Sequence, residues 1–209
     1  MALQSNLKNM VLCLFGVCLV CSAILGGIYV LTLDPIAQAN EKALKLSIGQ
    51  VLPEGGKISD AKSASGFEYY ENVVDGEVVA YAVKSTSVGF GGPLVLMVGV
   101  LPDGTVFNTS VLSHSETPGL GAKCTSDEGF MAQWKGFSGK LSVKKDGGDV
   151  DAITASTITS RAYTKAVAAA VDFVLSMTGG GLPEGMEWEE TPAYGMEAIE
   201  SYMEGQENE

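Results

Sequence analysis

The sequence predicts an α+β protein: one N-terminal transmembrane helix, then a domain in which packed helices cover a curved antiparallel sheet. Three observations carry that prediction. Residues 10–33 contain no charged side chain. Residues 67–112 hold four apolar or β-branched segments punctuated by Asp75-Gly76 and Asp103-Gly104, and Asp-Gly between such segments marks a hairpin. Residues 158–177 place Ala162, Ala166, Ala169, Ala170, Phe173, Val174 and Met177 on one helical face.

The elements run in chain order. Residues 1–9 form a short N-terminal cytoplasmic segment. Residues 10–33 make a helix of about 36 Å at 1.5 Å per residue, enough for a ~30 Å hydrocarbon core. A cleaved signal peptide has a shorter apolar stretch ending at a small-x-small site; this run is too long and shows no such site. Lys8 precedes the span, and the positive-inside bias then puts everything from Asp34 on outside the cytoplasm. Cys13, Cys18 and Cys21 lie within the span and read as small apolar filler. Asp34-Pro35 opens a second helical pattern, a stalk over residues 34–56 that Pro53-Glu54-Gly55-Gly56 stops. The domain proper covers 57–178, with strands near Phe67–Val74, Glu77–Lys84, Leu94–Leu101 and Val106–Leu112. A further strand is expected at Leu141–Lys145, and Gly179-Gly180-Gly181 ends the last helix. The Asn108-Thr109-Ser110 sequon lies in a strand and is discounted. Residues 179–209 form an acidic C-terminal tail.

Charge and composition narrow the function. The 209 residues carry 13 Lys+Arg against 25 Asp+Glu, a net charge of -12. Nine of those negative charges sit in residues 179–209, leaving residues 1–178 near balance at -3. No basic face is available to neutralise phosphates, so no nucleic-acid partner is expected. His114 is the only histidine, which excludes multi-histidine zinc sites and paired-histidine mechanisms. Cys124 is the only thiol outside the span, so no structural disulfide is expected there.

Two segments carry chemistry. Ser113-His114-Ser115-Glu116-Thr117-Pro118-Gly119-Leu120-Gly121-Ala122-Lys123 comes after a strand and is rich in turn residues. Its glycines let backbone approach a ligand, and Glu116, Thr117 and Lys123 add donors and acceptors. Read alone, it is equally an ordinary strand-to-helix connection. Asp151-Ala152-Ile153-Thr154-Ala155-Ser156-Thr157-Ile158-Thr159-Ser160 lies where the last helix begins. Hydroxyl residues are expected there as helix caps. A helix N-terminus also stabilises a phosphate, and a threonine hydroxyl there could carry a phosphate ester.

The second segment resembles the flavinylation motif of the FMN-binding domain family, Asp-x-x-(Ser/Thr)-Gly-Ala-Thr followed by further hydroxyl residues. Asp151, Thr154 and Thr157 match, while Ala155 stands where glycine is usual and Ser156 where alanine is usual. The resemblance extends to Gly89-Phe90-Gly91-Gly92-Pro93-Leu94, Asp103-Gly104 and His114-Ser115-Glu116-Thr117-Pro118-Gly119-Leu120-Gly121, in the order and spacing of the G subunits of the Rnf ion-translocating ferredoxin:NAD oxidoreductase. It covers roughly residues 8–178 and leaves out the tail.

The resemblance implies covalent FMN, joined through a phosphoester to Thr157 by an FAD:protein FMN transferase. It implies supporting roles for Thr154 and Ser156 at the phosphate, and for Glu116, Thr117, Leu120, Gly121 and Lys123 in the flavin pocket. It implies a redox subunit, incomplete as an enzyme alone, in the lipid of the inner membrane. There it would relay electrons among membrane and iron–sulfur subunits of the Rnf complex. Two alternatives share the flavin chemistry: a C-type subunit of the sodium-translocating NADH:quinone reductase, and a membrane-anchored flavin sensor outside any ion pump. The chain has no fingerprint for NADH and no clustered cysteines outside the span, so one-chain NADH oxidation is not expected. A non-redox module whose Thr/Ser cluster only caps a helix stands as a further reading.

Overall fold

The computed structural model describes residues 7–179. The acidic tail, Gly179 apart, lies outside the described residues. The chain divides into two compact units between Leu44 and Lys45.

Helix α1, Leu7–Val51, contains both the apolar run and the stalk pattern, with Pro35 inside it. The separate start expected at Asp34-Pro35 is therefore an internal position. Proline supplies no N–H for the carbonyl four residues back and favours a bend there. Just upstream, the Thr32 hydroxyl hydrogen-bonds to the Ile28 and Tyr29 carbonyls at 3.0 and 3.1 Å. Residues 8–33 are exposed on every face. It is the one helix, among the described residues, long and apolar enough to cross a membrane.

The second unit is built on an antiparallel sheet. Its strands are β1 (Lys57–Ile58), β2 (Lys62–Ala64), β3 (Phe67–Val74), β4 (Glu77–Val88), β5 (Pro93–Val100) and β6 (Val106–His114). The order is β1-β3-β4-β5-β6, with β2 also paired to β3. Asp75 and Gly76, at φ 54° and 91°, turn β3 into β4. Leu101 N–H to Thr105 O at 2.9 Å closes the β5–β6 turn. Register shifts at Asn72/Val73, Val95/Leu96 and Gly99/Val100 mark bulges, and bulges bend and twist a sheet.

One sheet face receives α3 (Thr157–Thr178), which packs on β4 and β5. Its Ala162, Ala166, Val167, Ala170 and Val174 meet Val83, Leu96 and Val98 in the core. Phe67 stacks on Phe173 at 4.9 Å, and Trp134 on Tyr163 at 5.2 Å. The end of α1 belongs to the same unit, with Ser47, Ile48 and Val51 buried. Gln50 O accepts from Asn108 Nδ2 at 3.0 Å, so the sequon asparagine is engaged in packing. A Cβ on Gly99 would lie 1.7 Å from the Val51 carbonyl, so only glycine admits this approach.

The strand expected at Leu141–Lys145 does not form. Leu141 and Val143 are buried, but only Val143 bridges, to Val150, and Lys144–Asp146 is a 3-10 turn. Gly147, at φ 80°, closes that turn before a ladder can extend. Short β1 and β2 and the five-residue α2 (Glu128–Ala132) were not anticipated.

Candidate functional site

The two segments singled out in the sequence meet at Glu116. Beyond β6 the chain turns inward: the Glu116 N–H donates to His114 Nδ1 at 3.2 Å, and the residue is 6% exposed. Glu116 Oε1 accepts from the Gly91 N–H at 3.3 Å, and Oε2 accepts from the Thr159 hydroxyl at 2.7 Å. This carboxylate thus ties the Gly89–Gly92 turn between β4 and β5 to the first turn of α3. The fit depends on missing side chains. A Cβ on Gly121 would lie 2.2 Å from Glu116 Oε2, and one on Gly91 would lie 2.1 Å from the Ser115 carbonyl.

The rest of the first segment forms the rim. The Thr117 carbonyl accepts from the Leu120 and Ala122 N–H groups at 3.2 Å each, and Gly121–Thr125 continues as a 3-10 turn. Thr117, Leu120 and Lys123 are exposed, while Gly121 is buried. Cys124 lies beneath them. Burial, then the adjacent Glu116 charge, pushes its thiol up to about 11, so it stays a neutral packing group.

The second segment is held at both ends. Gln133, just after α2, accepts from the Asp151 N–H at 2.8 Å and donates to the Asp151 carbonyl at 3.2 Å. Ser160 Oγ accepts from the Ile153 N–H at 2.9 Å and donates to the Ser156 carbonyl at 2.9 Å. Between them Ala155 takes φ +62°, the left-handed region that favours glycine.

Ser156 occupies the cap position of α3, yet its hydroxyl makes no capping bond. Its Oγ is buried without a partner, on a residue 7% exposed. Simple helix capping therefore does not account for this serine. Thr157, the first residue of α3, is half-buried and accepts from Lys145 Nζ at 3.2 Å. Thr154 is exposed beside it.

Uncapped N–H groups at a helix start, an orphaned buried hydroxyl and a lysine make a donor set for an anion. A phosphate monoester such as that of FMN fits that set, which lies at the Thr157 hydroxyl. Phe90, Leu120 and Ile158 are 69%, 45% and 52% exposed, and each adjoins a residue that touches or abuts Glu116.

The structure brings Glu116, Gly121, Ser156 and Thr157 close to this junction and leaves Thr117, Leu120, Lys123 and Thr154 on its exposed margin. Lys145, Thr159, Phe90 and Ile158 were not singled out. Nothing in the sequence couples Thr159 to Glu116, 43 positions away. The Lys144-Lys145 pair just before the motif was a usable signal.

Comparison with known proteins assigns this region to a family. A model of the FMN-binding domain matches residues 89–172, which include both segments. The G subunit of the proton-translocating ferredoxin:NAD(+) oxidoreductase complex of Clostridium ljungdahlii is 34% identical over 167 residues, 78% of this chain and 89% of that protein. The G subunit of the ion-translocating oxidoreductase complex of Methanosarcina acetivorans is 35% identical over 178 residues, 77% of this chain and 92% of its own. Among solved structures, the C subunit of the Na(+)-translocating NADH-quinone reductase from Parabacteroides distasonis shares the fold. It superposes with a TM-score of 0.54 at 20% identity, covering 71% of this chain and 98% of that one. At that identity the likeness speaks for the fold alone, whereas the sequence likeness over most of the chain is to the G subunits. The chain belongs to the family of G subunits of ion-translocating oxidoreductase complexes, with an FMN-binding domain over residues 89–172.

Proposed function

We propose that the chain is the membrane-anchored electron relay of an ion-translocating ferredoxin:NAD oxidoreductase (Rnf-type) complex, carrying FMN through a phosphoester on Thr157. The observation that carries this reading is the start of α3: Thr157 stands at an uncapped helix N-terminus, above the orphaned Ser156 hydroxyl and against Lys145. Bound FMN supplies the redox chemistry. The chain's own residues do the holding. The helix start, Ser156 and Thr154 take the phosphate end. Leu120 and Gly121, with Thr117, Lys123 and the exposed Phe90, border the ring. Glu116 fixes the loops on which these residues sit. A tether removes the entropic cost of recruiting the cofactor and prevents its loss.

In this reading residues 10–33 cross the inner membrane, α1 continues beyond them as the stalk, its last turns packing into the domain, and that domain holds the flavin on the extracytoplasmic side. An FAD:protein FMN transferase matures the protein, and the other Rnf subunits give and take its electrons as part of a translocase. A C-type role in a sodium-translocating NADH:quinone reductase is the second reading, favoured by the shared fold alone.

Intact mass and peptide mapping of protein from its native host test the proposal. The expected result is a gain of FMN less one water on the peptide holding Thr157, absent in Thr157→Ala. An unmodified Thr157 in a host that possesses the transferase overturns it.

A further inference from the structure

The turn just before the motif carries three charged side chains, and each reaches a different part of the motif or of α3. Lys144 Nζ lies 2.7 Å from Asp151 Oδ2. Asp146 receives a forked hydrogen bond from Arg161 at 2.6 and 2.7 Å. Lys145 Nζ donates to Thr157 Oγ1 at 3.2 Å. Lys144 and Arg161 therefore already face carboxylates, and Lys145 faces the attachment hydroxyl. The Arg161 fork matters here: it holds the Asp146 carboxyl below its usual range and occupies the nearest competitor for Lys145. A neutral hydroxyl is a weak partner for an ammonium, and a phosphate is a strong one. The same spot has the uncapped start of a 22-residue helix and the partnerless buried Ser156 Oγ.

We propose that Lys145 is the phosphate-recognising residue of this site, a positioning residue that aims Thr157 during FMN attachment and pairs with the phosphodiester afterwards. The inference rests on the reading of Thr157 as the attachment point. In the transfer, Thr157 Oγ bonds to the flavin-side phosphorus of FAD and the pyrophosphate P–O bond breaks. AMP leaves with the bonding pair, the hydroxyl proton goes to solvent, and no electron is gained or lost. Lys145 takes up no proton in this step. It orients Oγ and offsets the negative charge that arrives with the phosphate.

The test uses the full-length chain, made unmodified in a host without the transferase, held in detergent and mixed with purified FAD:protein FMN transferase and FAD. Intact mass followed over time gives the rate of FMN gain. Lys145→Gln is expected to slow it roughly tenfold, the loss of one charge-assisted hydrogen bond. Lys145→Arg is expected to regain most of the rate. Added salt should slow wild type more steeply than the Gln variant. A 31P resonance of the attached phosphate that differs between wild type and Lys145→Gln would place the charge beside it. A Gln variant modified at the wild-type rate with the wild-type salt slope overturns the inference, as does equal slowing by Gln and Arg. If wild type gains no FMN at Thr157, the attachment reading itself falls and takes Lys145 with it. If wild type is modified and Lys145 has no effect, only the lysine's role is lost.

Discussion

Thr159 shows how much a single hydroxyl holds together. It donates at 2.7 Å to Glu116 Oε2, and both residues are almost fully buried. Thr159→Val keeps the shape but leaves a buried carboxylate with one donor fewer. Such a loss costs about 1.5–3 kcal/mol, and the expected readout is a lower urea midpoint together with a looser Gly89–Gly92 turn in hydrogen exchange. An unchanged midpoint would mean that water replaces the hydroxyl at no cost. Ala155 illustrates the other side of residue-scale reading. Its departure from the motif's usual glycine was visible in the sequence, but the reason it matters, φ +62°, was not. A Cβ in that region costs about 1–2 kcal/mol, which the clamps from Gln133 and Ser160 must offset. The Asp-x-x-Thr-x-x-Thr spacing was legible at once. The partner of each hydroxyl was not, because Ser160 binds backward to Ile153 while Thr159 reaches a loop far away in the chain.

At the scale of elements, local chemistry explains which strands could be read. The Phe67–Val74 strand ends where expected because Asp75-Gly76 supplies the turn. Strand β4 runs past Lys84 to Val88 because Ser85–Val88 pair with Pro93–Leu96, a polar stretch whose own pattern is weak. Strands β1 and β2 are too short and exposed to announce themselves. Across β3 and β4, Glu68 accepts from Lys84 at 2.9 Å and from Tyr70 at 2.8 Å. Lys84 first, and Tyr70 second, hold the Glu68 carboxyl below its ordinary 4.5. The unfolded chain therefore takes up this proton before the folded one as pH falls. The stabilisation is complete above pH 4.5 and is lost as acid drives pH down through the lowered folded value. Urea midpoints measured against pH should fall less steeply on the acid side in Glu68→Gln than in wild type. Matching slopes would show that the Lys84–Glu68–Tyr70 cluster adds nothing.

For the whole molecule, the division into an apolar helix and an α+β domain was legible because each part has its own period and its own charge pattern. The junction of the site was not. The Gly89–Gly92 turn, the loop after β6, the 144–146 turn and the start of α3 come from four separate stretches, and only the folded sheet with α3 packed on it brings them together. No local pattern encodes that meeting. The same holds for Gly99, whose lack of a side chain is explained only by the Val51 carbonyl lying over it.

The Trp134–Tyr163 stack has an optical consequence. Trp134 is fully buried and rests on Tyr163 of α3, six positions beyond Thr157, or about 9 Å along the helix axis. Indole emission overlaps the absorption of an oxidised isoalloxazine, so a flavin tethered at Thr157 would act as an energy acceptor for this built-in donor. In a Trp188→Phe background, which leaves Trp134 as the sole indole, the unmodified chain should be bright. The same chain should dim as FMN is attached, in step with the mass gain, whereas Thr157→Ala should stay bright throughout. Fluorescence that ignores the attached mass would put the ring well away from the α3 face that Trp134 supports.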